Sequence, residues 1–305
     1  MFQKSFIIVL VFVLFYTAFI VYSDFDDFVK SISLFKIEYL FPVFGLFLLG
    51  KFIKSIRQFF LLKTANISIS FKKNILLYMS GLSMTVTPGS SGEVIKSYFL
   101  KKKFRYDLSK SIPVFILEKF YDLTSVIIII SFTLFFIQSI EIFILISFMI
   151  IILTLVYSFT KSKSVFLFIS RKLNKINFFK KYILIFDESN HLFQLLTSKK
   201  NLAQNLFFTI LSMIADAIAI LFIFQGFNVD LSIIFTTFVA FSSYLLGIIT
   251  FLPGGIGITE ISFVSLLTDK GIELSLATSI MVMSRLIGTW FLTIVGFIST
   301  KLFFK

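Results

Sequence analysis

The 305-residue sequence contains no cysteine, a single histidine (His191), one tryptophan and four prolines. The missing cysteines exclude disulfides, thiol catalysis and thiolate metal sites, and one histidine cannot build a His cluster for a metal. Acidic residues are few, 16 against 29 Lys and Arg, and charged residues of both signs reach only 15%. An ordinary soluble domain carries about 25%. Polar stretches are short apart from one basic segment near the middle, so a separate soluble domain has no room, which removes many enzyme classes. No catalytic set, cofactor or metal site is expected. Asp24-Phe25-Asp26 has the DxD form of a metal motif but no neighbouring chemistry, and reads as solvated acidic residues.

What the sequence has instead is apolar bulk: 57% hydrophobic residues, 45 of the 305 being Phe. They fall in charge-poor stretches near 5–22, 39–62, 74–100, 112–137, 140–160, 201–225, 232–268 and 273–300. Runs of about 18 or more apolar residues need lipid around them, which predicts an all-α, polytopic integral membrane protein. Met1 to Ser23 lacks a small-x-small cleavage site and reads as a retained first helix. The net charge of +13 sits beside the apolar stretches, which points to membrane topology and anionic lipid rather than nucleic acid.

Lys and Arg gather on the cytoplasmic side of membrane proteins. The basic clusters are Lys51, Lys54, Arg57, Lys63, Lys72 and Lys73; Lys101 to Lys110; the run from Lys161 to Lys200; and Lys301 with Lys305. The opposite ends carry Asp24, Asp26 and Asp27, then Glu141, Asp230, Asp269 and Glu273. The first two basic clusters flank 74–100 on both sides, so that stretch should enter from the cytoplasm, break at Pro88 and return. Asp230 and Asp269 bracket 232–268, which should enter and leave from outside and break at Pro253. The expected topology has six spans, two re-entrant broken helices and both termini cytoplasmic. Residues 161–200 alternate apolar and basic groups, as in amphipathic helices on an anionic surface.

The two breaks are alike. Pro88-Gly89 leads through Gly92 to Glu93, and Pro253-Gly254-Gly255 leads through Gly257 to Glu260. Each Glu is followed 25 positions on by a charged residue in the next span, Glu118 and Arg285 respectively. Opposite-facing breaks with matched spacing predict an inverted repeat, with halves near 34–137 and 201–300 of one domain covering 1–305. Transporters of this plan bind substrate where their discontinuous helices meet.

Both Glu93 and Glu260 stand where they could cap a returning half-helix. Alternatively, the broken helix starts could offer N–H groups to a lipid phosphate. Glu118 and Asp122 are four apart and share a helix face with Lys119 between them; Asp216 and Arg285 lie mid-span. Charges at such depth face a partner or a cavity, so Glu93, Lys96, Glu118, Lys119, Asp122, Asp216, Glu260 and Arg285 are candidates for a polar path. The structural alternative is ion pairing, Arg285 with Asp216 or with a Glu, and Lys96 as a neutralising neighbour of Glu93.

The Thr87-Pro88-Gly89 to Gly92-Glu93-Val94-Ile95-Lys96 run, Glu118-Lys119-Phe120-Tyr121-Asp122-Leu123, and Leu252-Pro253-Gly254-Gly255-Ile256-Gly257 to Glu260 with Arg285 together resemble the flippase-like transmembrane region of the lysylphosphatidylglycerol synthase family. Ser90-Ser91 stand where that family more often has Gly and Ala, and Lys119 where it more often has Arg. The resemblance implies a multi-pass protein of a prokaryotic inner membrane that flips a lipid, anionic or polyprenyl-linked, beside a possible partner enzyme that modifies lipids. The family's full synthase also has a C-terminal aminoacyl-transfer domain; this sequence stops at Lys305, so lysyl transfer is not expected. Two other readings remain at this level: an integral-membrane transferase on lipid-linked substrates, and a non-transporting subunit of a lipid-modifying enzyme.

Overall fold

A computed structural model describes residues 25–87, 91–137 and 191–305, with isolated positions between 140 and 154. The expected first helix, Pro88 and Gly89 of the first break, most of the 140–160 span and the basic segment up to residue 190 lie outside the described residues. Every regular element among the described residues is helical. In order they are α1 (Phe25–Ser33), α2 (Leu40–Thr64), α3 (Phe71–Gly81), α4 (Ile95–Phe104), α5 (Leu108–Ile137), α6 (Lys199–Gly226), α7 (Ile233–Ile249), α8 (Ile258–Thr268), α9 (Leu274–Arg285) and α10 (Leu292–Phe304). Among the described residues, four helical stretches are long and apolar enough to cross a membrane: Ile37–Thr64, Leu108–Ile137, Lys199–Gly226 and Leu274–Phe304.

Side-chain exposure on these helices fits hydrocarbon and not water. Phe132 and Phe135 on α5, Phe207 on α6 and Phe297 on α10 are all exposed, Phe135 by 81%. A soluble protein rarely leaves large apolar patches open; in a bilayer the acyl chains cover them. The interior is correspondingly rich in hydroxyls. Thr236, Ser242 and Ser243 on α7 and Ser275, Thr278 and Ser279 on α9 are buried, as expected where small polar residues let membrane helices approach.

The predicted breaks appear as helix interruptions. Residues 71–104 form two arms of 11 and 10 residues, α3 and α4, packed on each other. At about 1.5 Å per residue neither arm crosses about 30 Å of hydrocarbon. Near the turn, the Thr87 hydroxyl donates to the Met84 carbonyl at 2.7 Å and accepts the Gly92 N–H at 2.7 Å. A side chain at Gly92 would strike Thr87 and Met84. Arg105 ends α4 in the left-handed region, its N–H on the Lys101 carbonyl.

Residues 233–268 are less even, with 17 residues in α7 and 11 in α8. No proline or charge interrupts α7 before Ile249; the helix ends there, and Phe251 takes a left-handed backbone just ahead of Pro253 and the glycines. Gly254, Gly255 and Gly257 all have positive φ, a conformation that side-chain-bearing residues resist. Gly255 also lies against Gly247 of α7, where an added Cβ would be 3.1 Å from the Gly247 Cα and 2.6 Å from the Thr259 hydroxyl. Closeness and backbone conformation both demand glycine there.

The chain forms two compact units. Of the described residues, one unit comprises those within Met1–Gly50, Ser83–Gly92 and Ile214–Val295, and the other those within Lys51–Leu82, Glu93–Met213 and Gly296–Lys305. The first unit packs α7 on α8, α8 on α9 and α9 on α1; Ser31 of α1 donates to Ser275 of α9 at 3.4 Å. The second has an apolar core that includes Leu61, Leu77, Leu100, Phe115, Tyr121 and Phe303. Its helices α3, α4 and α5 pack in succession, and the Tyr121 hydroxyl donates to the Leu196 carbonyl at 2.6 Å.

Candidate functional site

The second unit encloses an ionic network. Lys54, Arg57 and Gln58 lie at i, i+3 and i+4 on α2, and Glu118 and Asp122 at i and i+4 on α5; both spacings place side chains on one helix face. Arg57 Nη1 donates to Asp122 Oδ1 at 2.7 Å and to the Thr209 hydroxyl of α6 at 2.7 Å. Its Nη2 is 3.8 Å from Glu118 Oε1. Lys54 Nζ approaches Asp122 Oδ1 at 3.0 Å. Lys96, on α4, donates to Glu118 Oε2 at 2.5 Å and to Gln58 Oε1 at 3.0 Å. Gln58 in turn donates to Asn74 of α3 at 3.0 Å, and Asn74 to the Ser55 carbonyl at 2.7 Å. Lys119 completes the set, donating to Glu93 Oε1 at 2.6 Å with Asp122 Oδ2 at 4.0 Å.

The network is buried but not sealed. The Arg57 side chain is 1% exposed and that of Lys119 25%. Lys96 threads an aromatic slot, its Nζ 4.5 Å from the Phe115 ring centre and 5.1 Å from that of Tyr78. Gly81 makes room for its stem, since an added Cβ there would be 2.8 Å from Lys96 Cδ. Each lone charge would cost roughly 2.5–3.5 kcal/mol at the centre of a spanning helix even on the lenient insertion scale. Mutual pairing offsets that cost, which is why these side chains converge.

The first unit holds a smaller clasp. Arg285 Nε donates to Glu260 Oε1 at 2.7 Å, and its Nη2 donates to the Gly254 carbonyl at 2.8 Å. Glu260 Oε2 accepts the Gly257 N–H at 2.8 Å, capping α8 through its own third residue. One carboxylate thus caps a helix and anchors a cation, while that cation holds the turn. The Arg285 side chain is 14% exposed and that of Glu260 fully buried. Just beyond Arg285 the helix widens into a π turn, Leu286–Phe291, and Thr289 accepts from Arg285 at 3.5 Å.

The structure therefore brings five of the sequence candidates, Glu93, Lys96, Glu118, Lys119 and Asp122, into one cluster, and pairs Glu260 with Arg285. Asp216 is half-buried on α6; Arg285 takes the Glu partner of the two alternatives. Lys96 is more than a neighbour of Glu93, which lies 4.0 Å away, because its short contact is with Glu118.

One expectation needs correction. Lys54 and Arg57, counted with the basic residues near the span ends, are buried in the network, whereas Lys63 and Lys72 from the same run are exposed. The three-residue spacing of Lys54 and Arg57 within an apolar stretch was the available signal. Gln58, Asn74 and Thr209 were also missed, and no local pattern marks them. At the end of α4, partial desolvation and the neighbouring Lys73 hold the Lys103 ammonium below the ordinary lysine range.

These features define an all-α polytopic membrane protein whose buried charges pair with one another between its helices. The chain belongs to the family of the lysylphosphatidylglycerol synthase transmembrane region, whose family model matches residues 6–296. It is similar to the UPF0104 membrane protein PH1989 of Pyrococcus horikoshii, 25% identical over 77% of this chain and 78% of that protein. It is likewise similar to two such proteins of Methanocaldococcus jannaschii. MJ1078 is 30% identical over 70% of this chain and 90% of that protein. MJ1595 is 23% identical over 97% of this chain and 94% of that protein.

Proposed function

We propose that this protein is a lipid translocase of a prokaryotic cytoplasmic membrane, moving a phospholipid or polyprenyl-linked amphiphile between leaflets without chemically changing it. The observation that carries this reading is the buried network of Lys54, Arg57, Lys96 and Lys119 with Glu93, Glu118 and Asp122. Ionisable groups at membrane depth mark substrate or ion pathways by default, and a polar headgroup needs such a lining while its acyl tails remain in lipid. Family membership favours a lipid-related role.

The two breaks share a chemical plan that also supports transport. Glu93 pairs with Lys119, 26 positions on, and Glu260 with Arg285, 25 positions on. In each unit, the first carboxylate after an interruption is fastened to a cation of the following helix, as a duplicated transport element would be. Both termini are assigned to the cytoplasm, next to the basic clusters.

The test is headgroup accessibility in proteoliposomes with a fluorescent phospholipid and a membrane-impermeant quencher. Reconstituted protein should expose inner-leaflet label faster than empty vesicles, and Glu118→Gln should slow it. Equal rates with and without well-folded protein, across phospholipid and polyprenyl-phosphate probes, would end the proposal.

A further inference from the structure

Lys119 differs from the other cations in the network in its exposure. It has the most exposed side chain of the four, and its short ionic contact is with a carboxylate that has a second cation within reach. Glu93 lies 2.6 Å from Lys119 through Oε1 and 4.0 Å from Lys96 through Oε2. A small rotation of Glu93 would exchange one lysine for the other. Asp122 is already engaged by Arg57 and Lys54. Deeper in the same network, the Arg57 Nε–H is buried without an acceptor among the described residues, and a donor left so is costly.

We propose that Lys119 is the binding point for a phosphate group, carried by a lipid headgroup or free in solution, and that the Glu93 carboxylate is its intramolecular stand-in. On binding, a phosphate oxygen takes the Lys119 ammonium and Glu93 closes on Lys96. One anion replaces another at Lys119, so the exchange avoids adding an unpaired charge to a low-dielectric site. The Lys119 ammonium, a charge on a flexible stem, can pass from the Glu93 carboxylate to a phosphate oxygen. The inference rests on the reading that lipid headgroups reach this network, but its test is separate from translocation.

Full-length protein in detergent is titrated with dihexanoyl phosphatidylglycerol, inorganic phosphate and dihexanoylglycerol, and binding is followed by calorimetry. Glu93→Gln keeps the shape and removes the competing charge, so phosphatidylglycerol should bind about fivefold tighter or more, as for loss of a partly exposed ion pair. Lys119→Gln should weaken it about tenfold, and Lys119→Arg, which keeps the charge and guards against misfolding, should retain it. Binding of inorganic phosphate alone assigns the site to free phosphate; preference for phosphatidylglycerol assigns it to lipid. Unchanged or weaker binding in Glu93→Gln, wild-type affinity in Lys119→Gln, or equal binding of the phosphate-free dihexanoylglycerol overturns the proposal. Shifted binding with no translocation by the wild type would leave this site and remove the translocase. Translocation with unshifted binding would do the reverse.

Discussion

Arg57 and Asp122 are 65 positions apart in the chain and 2.7 Å apart in space. That contact joins α2 to α5 through a side chain that is almost wholly buried, and it places a third partner, Thr209 of α6, on the same guanidinium nitrogen. Three helices that could each cross the membrane by length are thus tied at one point by hydrogen bonds, and the three tied residues all lie in the second unit.

Removing Arg57 should therefore damage the fold as well as any transport. Arg57→Met leaves Asp122 facing Lys54 alone at short range and Glu118 facing Lys96, and loss of one partner from a buried pair costs about 3–5 kcal/mol. Thermal unfolding in detergent should show a clear drop for Arg57→Met and little change for exposed Lys63→Met. Equal melting temperatures would show the network to be energetically silent.

The Glu260–Arg285 clasp allows a cleaner measurement, since the two side chains meet directly. Glu260→Gln, Arg285→Met and the double variant form a cycle, with an expected coupling of about 1–3 kcal/mol for a buried, hydrogen-bonded pair. Arg285→Lys should lose most of that coupling, because an ammonium cannot reach Glu260 and the Gly254 carbonyl together as the guanidinium fork does. Strictly additive single effects would dismiss the clasp.

Gly255 in the second break is constrained both by its backbone conformation and by its neighbours. Gly255→Ala must bear a left-handed backbone at φ 68 and a Cβ against Thr259 and Gly247. A loss of about 1–3 kcal/mol is expected from such strain. Gly271→Ala, also at positive φ but with nothing near its Cβ, should lose less. The difference between the two, read by thermal unfolding, isolates the close approach to α7.

The absence of native cysteine makes single-cysteine labelling direct. Lys72→Cys and Lys101→Cys, at the outer ends of α3 and α4, should react with a membrane-impermeant maleimide from the same face. Asp230→Cys and Asp269→Cys, flanking α7 and α8, should react together from the other. All four positions are exposed. Labelling of Lys72 and Lys101 from opposite faces would convert the first interrupted segment into a crossing.

The helical membrane architecture was readable from the sequence because its causes are local. A helix spanning hydrocarbon satisfies its own backbone, so length and hydropathy suffice to place the four long stretches. Gly254, Gly255 and Gly257 shape the turn between α7 and α8 through their own φ, and Glu260 caps α8 three residues from Gly257, all close together in the chain. The Glu260–Arg285 pairing was one of two open choices, narrowed by the rule that deep charges seek partners.

Partnership across helices was a different matter. Lys54, Arg57, Lys63 and Lys72 are the same kind of residue in one stretch of sequence, and composition treats them alike. Only packing against α5 and α6 separates the buried pair from the exposed one. The roles of Gln58, Asn74 and Thr209 likewise depend on which faces of α2, α3 and α6 meet, and hydropathy carries no such information. The sequence by itself determined the solvent, the class of fold and the breaks, because each follows from a residue and its near neighbours. The tertiary structure decided which charges neutralise one another, because Coulomb energy depends on distances that only the packed helices set.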